Sequence, residues 1–198
     1  MNKKIPCTSI TKENLASAYW ILYKEKGIQK VKVKEIADLA GYNRSTFYEY
    51  FKDVFEIQEY IENSIFDYLE QEIFSDLDLL NDEDVINKLT MLYETKAEYL
   101  SVLLSEKGNP MFVKRFKNFF KEKMFQSLPI DNLHQNPYVH YLFEYVLSAE
   151  IGVITYWYQA NDELSLREII QLIRSLHMKA TQKEFIKFIR LTNHVKKN

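Results

Sequence analysis

Residues 36–51 read Ile36-Ala-Asp-Leu-Ala-Gly-Tyr-Asn-Arg-Ser-Thr-Phe-Tyr-Glu-Tyr-Phe51. Ile36, Ala37 and Ala40 recur at helical spacing and turn one side of a short helix, 33–40, inward. Gly41 ends that helix, because glycine takes the positive φ of a tight turn without strain. Asn43 is placed to cap a second short helix at 44–50 by accepting from its orphan N–H groups. Ala37 stands four residues before the glycine and Phe47 six after it. A small residue lets the second helix approach the first, and an apolar one closes the core between them. Two helices meeting this way form a helix-turn-helix. The outward side chains of 44–50 then face a major groove of double-stranded DNA.

Outward from this stretch the chain reads as helix in both directions. Leu15, Ala18, Tyr19, Leu22 and Tyr23 predict a helix over 11–26, with Thr11 as N-cap and Gly27 just past its end. A fourth helix starts near Asp53 and reaches the low seventies, with Ile57, Ile61, Ile65, Tyr68 and Leu69 on one side. Residues 75–82 read as a connection and 83–105 as a fifth helix. There Leu89, Leu92, Tyr93, Lys96 and Leu100 make no clean stripe. Gly108 stops it. Asn109-Pro110 and Asn136-Pro137 each join an N-cap to a proline at the first helical position. They open helices ending near Ser127 and Ala160, the second carrying Leu142, Tyr145, Val146, Ala149, Val153, Tyr156 and Trp157. Ser165-Leu-Arg-Glu168 is a capping box. It starts a helix with Leu166, Ile169, Ile170, Ile173, Leu176 and His177 on one side. A second box, Thr181-Gln-Lys-Glu184, opens a terminal helix reaching Val195.

Composition agrees with an all-α fold. The 198 residues include 4 Gly and 4 Pro, too few for the turns of a β-sandwich or barrel. A hydrophobic content of 46% with 15% aromatics excludes a disordered chain. The lone Cys7 excludes an internal disulfide and a four-cysteine zinc site, and suits a reducing compartment. No apolar run follows Lys3-Lys4 as in a secretory signal, and no stretch has the length of a membrane span. These features predict a cytoplasmic protein with no membrane partner. There is no phosphate-binding glycine loop, no Gly-x-Ser-x-Gly and no His-Glu-x-x-His. His134, His140, His177 and His194 lack ligand spacing. No catalytic site, metal or cofactor is therefore expected. The net charge of −2 hides an asymmetry. Residues 1–52 carry ten basic and five acidic side chains, net +5; residues 53–198 carry 16 and 23, net −7. A basic lobe on an acidic body brings one end of the molecule to a polyanion.

Residues 11–57 resemble the DNA-binding domain of the TetR (tetracycline-repressor-like) transcriptional regulators. The first-helix stripe, Gly27, Val33-Lys-Glu-Ile-Ala37, Ala40-Gly41 and above all Thr46-Phe-Tyr-Glu-Tyr-Phe51 carry the resemblance. It implies an N-terminal helix-turn-helix domain, 1–56, and a larger helical regulatory and dimerisation domain, 57–198. It places DNA contacts on Arg44 and Ser45, where family members reach bases, and on Thr46, Tyr48 and Tyr50, which match phosphate-touching positions. Asn43, Lys34 and Lys52 complete the candidate DNA-binding set. Arg44 has the geometry to bond guanine O6 and N7. Three positions depart from the family pattern: Val54 stands where a Lys is usual, Lys32 where a Ser or Thr caps the second helix, and Ser45 where a Gly is common.

The segments Tyr93–Phe116 and Ser148–Leu176 are similar to C-terminal domains of some TetR-like regulators. Tyr93, Phe112, Phe116, Phe120, Tyr141 and Tyr145 are candidates to line a pocket for an apolar small-molecule effector; core and interface claim the same aromatics. Ile151, Gly152, Tyr156, Trp157, Ile169 and Ile173 are candidates for a homodimer interface, two helices from each copy making a four-helix contact. The function expected is a repressor released from its operator by a ligand. A helical interaction protein that has lost DNA binding, and an all-α enzyme with an unrecognised site, are the alternatives.

Overall fold

The computed structural model describes residues 7–27, 30–77, 81–127, 133–160 and 163–176. Every regular element among them is a helix. The chain forms two compact units, Met1–Asp67 and Tyr68–Asn198. The division falls eleven residues later than the 56/57 boundary read from sequence. Residues 57–67 of the fourth helix belong with the first unit, where Tyr19 of the first helix hydrogen-bonds Gln58.

In the first unit, α1 (Cys7–Lys26) begins before the expected start, so Thr11 lies inside it and does not cap it. Its buried side carries Leu15, Ala18, Tyr19 and Tyr23. Gly27 closes α1 at φ 72°, its N–H donating to the Tyr23 carbonyl at 2.9 Å. The helix α2 (Val33–Ala40) has Lys32 at its N-cap, whose side chain makes no cap bond. Glu35 supplies one: its carboxylate accepts the Lys32 N–H at 3.0 Å and pairs with the Lys26 ammonium at 2.7 Å. That ion pair and the backbone bond hold the Glu35 carboxyl below the usual range. Gly41 turns the chain at φ 77°, and the Tyr42 N–H returns to the Ala37 carbonyl at 2.9 Å. The helix α3 (Arg44–Tyr50) follows. Asn43 occupies its N-cap without a side-chain cap bond, so the sequence expectation of an Asn43 cap fails. Asp53 caps α4 (Val54–Tyr68), its carboxylate accepting the Phe55 and Glu56 N–H groups at 2.9 Å each.

The second unit begins with a π-helical turn, Leu69–Ile73. The single helix expected at 83–105 is two, α5 (Asp82–Thr95) and α6 (Ala97–Leu103), broken at Lys96 with ψ 15°. The Lys96 ammonium sits 4.4 Å over the Tyr68 ring. Leu92 and Tyr93 before the break, and Leu100 and Leu103 after it, are all buried. Asn109 caps α7 (Pro110–Ser127) and Asn136 caps α8 (Pro137–Ala160), each through its carboxamide oxygen at 3.0 Å. On α7, Phe112, Phe116 and Phe120 are buried one turn apart, each stabilising by about 1.5–3 kcal/mol relative to exposure. The Lys117 ammonium joins α7 to α8 through Glu144 at 2.5 Å and Ser148 at 2.8 Å. The Ser165–Glu168 box forms, with the Ser165 N–H to the Glu168 carboxylate at 2.8 Å and the Glu168 N–H to the Ser165 hydroxyl at 3.3 Å. It opens α9, described over 166–176. Leu166, Ile169, Ile170 and Ile173 bury, while Leu176 is exposed. His177, the second box and the terminal helix lie outside the described residues. No described helix is long and apolar enough to cross a membrane.

Candidate nucleic-acid interface

Phe47 decides which way α3 faces. Its ring is fully buried, packed at 5.8 Å on Phe51, which in turn meets Tyr60 of α4 at 5.6 Å. Lys12 of α1 covers this pair, its ammonium 4.3 Å from the Tyr60 ring and 5.3 Å from that of Phe51. With Phe47 inward, residues 45 and 49 face outward by helical geometry, residue 48 lies on the flank, and residue 44 is exposed at the start of the helix. Arg44, Ser45 and Tyr48 are exposed, Thr46 and Tyr50 half-buried. Arg44 Nη2 lies 3.5 Å from the Tyr48 hydroxyl one turn along. The Tyr48 ring also stands edge-on to Phe47 at 5.6 Å. Arg44 and Tyr48 therefore form one outward pair, braced from below.

Lys34, Asn43 and Lys52 are exposed as well. Asn43 keeps its carboxamide out of the cap. The Lys52 N–H donates to the Glu56 carboxylate, which fixes the backbone and leaves the ammonium on the surface. Asn14 donates to the Tyr42 hydroxyl at 3.0 Å and ties α1 to the turn before α3. Neither Asn14 nor Lys12 was singled out from sequence: a polar residue facing a surface aromatic leaves no periodic trace.

The candidate effector residues separate into two sets. Phe112, Phe116 and Phe120 stack along α7 at 5.7 and 4.9 Å, and Phe74 meets Phe120 at 5.3 Å. Tyr93 is buried too, bonded to Glu150 at 3.1 Å. Tyr141 and Tyr145 do not join them; they are 79% and 62% exposed. The candidate dimer residues also divide. Ile151, Ile169 and Ile173 are buried within the single chain, while Tyr156 is 70% exposed and Gly152 is exposed. Trp157 is engaged inside the chain, its indole N–H donating to the Leu164 carbonyl at 2.8 Å. The buried side of α8 is Val139, Phe143, Leu147, Ile151 and Ile154. Its outer side is Tyr138, Tyr141, Tyr145, Ala149, Gly152 and Tyr156, spaced three and four apart. Among the described residues no group of three or more His, Cys, Asp or Glu side chains is placed to hold a metal ion.

An anchored recognition helix behind a glycine turn, followed by a wholly helical body among the described residues, defines a helix-turn-helix regulator. The chain belongs to the TetR family of DNA-binding transcriptional regulators. The family profile described as "Bacterial regulatory proteins, tetR family" matches residues 17–53. A second, "Transcriptional regulator C-terminal region", matches residues 81–179. Among curated proteins no sequence matches. Solved structures share the fold. A TetR transcriptional regulator from Streptococcus agalactiae 2603V is similar with TM-score 0.63 and 18% identity, over 85% of this chain and 94% of that one. The fatty acid degradation regulator FadR from Bacillus halodurans is similar with TM-score 0.62 and 15% identity, over 91% and 99%. SmeT, the repressor of the Stenotrophomonas maltophilia multidrug efflux pump SmeDEF, is similar with TM-score 0.59 and 17% identity, over 87% and 91%.

Proposed function

We propose that this protein is a cytoplasmic repressor that binds a double-stranded operator as a homodimer and is released by an apolar small molecule. One observation carries the DNA half: Arg44, Ser45 and Tyr48 face outward from a helix whose Phe47 is wholly buried. Arg44 reads a base, and Thr46, Tyr48, Tyr50, Lys34, Asn43 and Lys52 hold the register on phosphates. The homodimer forms through the outer side of α8, from Tyr138 to Tyr156, together with exposed Leu172 and Leu176 of α9. A two-fold pairing of that tyrosine-rich side with itself buries large aromatic area in both copies. The apolar region beside the α7 phenylalanines and Tyr93 is where an effector enters. Moving an operator-bound population from 99:1 to 1:99 takes about 5.5 kcal/mol of differential affinity. The repressor sign and the apolar effector draw support from SmeT, a repressor of a drug efflux pump, and from FadR, a fatty acid degradation regulator.

Selection of sites from a random duplex pool, followed by salt titration on the recovered site, tests this. A regulator gives paired half-sites and an affinity that falls steeply with salt. No duplex binding even at low salt establishes the rival function, a helical interaction protein on the same fold. An enzyme on this fold has no observation in its favour.

A further inference from the structure

We propose that Tyr19, Gln58 and Glu62 are positioning residues that lock α4 into one register against α1, and that this register fixes the half-site spacing the dimer accepts. The inference rests on the DNA-binding homodimer proposed above. Three polar side chains are buried among the described residues: Gln58, Glu62 and Asn136. Asn136 is accounted for as the cap of α8. The other two lie one turn apart on α4 and continue a chain that starts on α1. The buried Tyr19 hydroxyl donates to Gln58 Oε1 at 3.2 Å, and Gln58 Nε2 donates to Glu62 Oε1 at 2.5 Å. The direction is fixed. Tyr19 claims the Gln58 carbonyl, so the Gln58 amide hydrogens turn to Glu62, which must accept. Burial and the Glu62 charge both push the Tyr23 phenol up.

Ile57, Ile61 and Ile65 of α4 are buried beside this polar chain. Apolar contact is non-directional, so an all-apolar helix pair tolerates small slides and rotations. A dry hydrogen-bond chain does not, because each shift leaves buried groups unmade. Lone polar residues set register in helix pairs for this reason. The chain leaves the DNA-reading unit through α4. The α1–α4 register is thus the last rigid step between the recognition helix and the rest of each copy. Moving a half-site by one base pair displaces it about 3.4 Å along and about 34° around the duplex. A reading unit held in one register rejects that shift, and one that slides accepts it.

The test uses the full-length protein, the selected operator, and operators with the half-sites one base pair closer and farther. Gln58→Leu and Glu62→Leu combined with Tyr19→Phe remove every member of the chain at similar volume, and the combination is expected to hold or raise the melting temperature while spacing discrimination falls about tenfold. A folded variant of this kind with undiminished discrimination overturns the proposal. If that variant does not fold, a polarity swap decides. Gln58→Glu alone sets two carboxylates together and loses discrimination. Adding Glu62→Gln restores the chain with donor and acceptor exchanged, and is expected to regain it; failure to regain overturns the lock. Wild-type protein that binds none of the duplexes overturns instead the regulator function on which the lock depends.

Discussion

Tyr93 of α5 donates its hydroxyl to Glu150 of α8 at 3.1 Å, across 57 positions of sequence. Tyr158, two turns further along α8, donates to the Tyr93 carbonyl oxygen at 2.6 Å. Arg174 of α9 contributes a favourable charge to Glu150 and pairs with Asp82 at the start of α5. Three helices of the second unit are thus joined by one polar cluster. Burial raises the Glu150 carboxyl above its ordinary range, against the opposing pull of Tyr93 and Arg174.

A raised carboxyl means that the folded state holds the proton more tightly than the unfolded chain. The stability it contributes is complete below the unfolded value of about 4.3. It is lost as pH rises through the folded value. Glu150→Gln keeps an acceptor for Tyr93 and removes the titration. The variant should therefore gain on the wild type as pH rises from 4 toward neutral, read as melting temperature against pH. A difference between the two that stays constant with pH rules this out.

Two glycines separate two kinds of constraint. At Gly41 an added Cβ meets nothing within 4 Å, and only φ 77° opposes it. Gly41→Ala should cost about 1–2 kcal/mol. At Gly108 the added Cβ falls 2.2 Å from the Leu103 carbonyl oxygen, a backbone atom that cannot turn aside. Gly108→Ala should cost more than Gly41→Ala in urea unfolding; the reverse order would show that the α6–α7 turn yields.

The proposed dimer face makes a prediction that spares the fold. Tyr145 and Tyr156 stand on the outer side of α8, mostly exposed in the single chain. Tyr145→Asp with Tyr156→Asp should leave the monomer folded and split the dimer, read by sedimentation equilibrium with circular dichroism as the check. Trp157→Asp should act differently, since its indole N–H closes the α8–α9 turn on Leu164: it should lower the melting temperature. A double aspartate variant that still sediments as a dimer moves the interface elsewhere.

The first unit was more legible than the second, for a physical reason. Gly41, Phe47 and the first-helix stripe are short-range signals, since a turn needs one φ and a short helix buries one residue. Where the interior uses side chains reaching between helices, as with Tyr19 and Gln58 or Tyr93 and Glu150, sequence spacing carries no sign of the pairing. The α8 helix is apolar on nearly every side, so periodicity cannot choose between Phe143, Leu147 and Ile151 inside and Tyr141, Tyr145 and Gly152 outside. The Asn-Pro starts of α7 and α8 were readable because both the cap and the fixed proline φ act within one turn. The break at Lys96 was not, because no glycine or proline marks it in Thr95-Lys-Ala97.

The recognition helix gives a paired prediction in which two substitutions a few residues apart act oppositely. Arg44 is exposed at the start of α3, one turn from the Tyr48 hydroxyl, and its proposed role is a bidentate bond to guanine. Arg44→Ala should cost about 1–3 kcal/mol on the selected operator and relax preference at one base pair, leaving the salt slope of non-specific binding nearly unchanged. Lys52 lies past the end of α3 on the exposed approach to α4, and the proposed contact there is to a phosphate. Lys52→Ala should weaken all duplexes alike and lower the salt slope by about one. Binding curves on the operator, on single-base variants and on random duplex, each at several salt concentrations, separate the two. Uniform weakening by Arg44→Ala would reassign it to the phosphates, and a sequence-dependent effect of Lys52→Ala would bring that side chain into the groove.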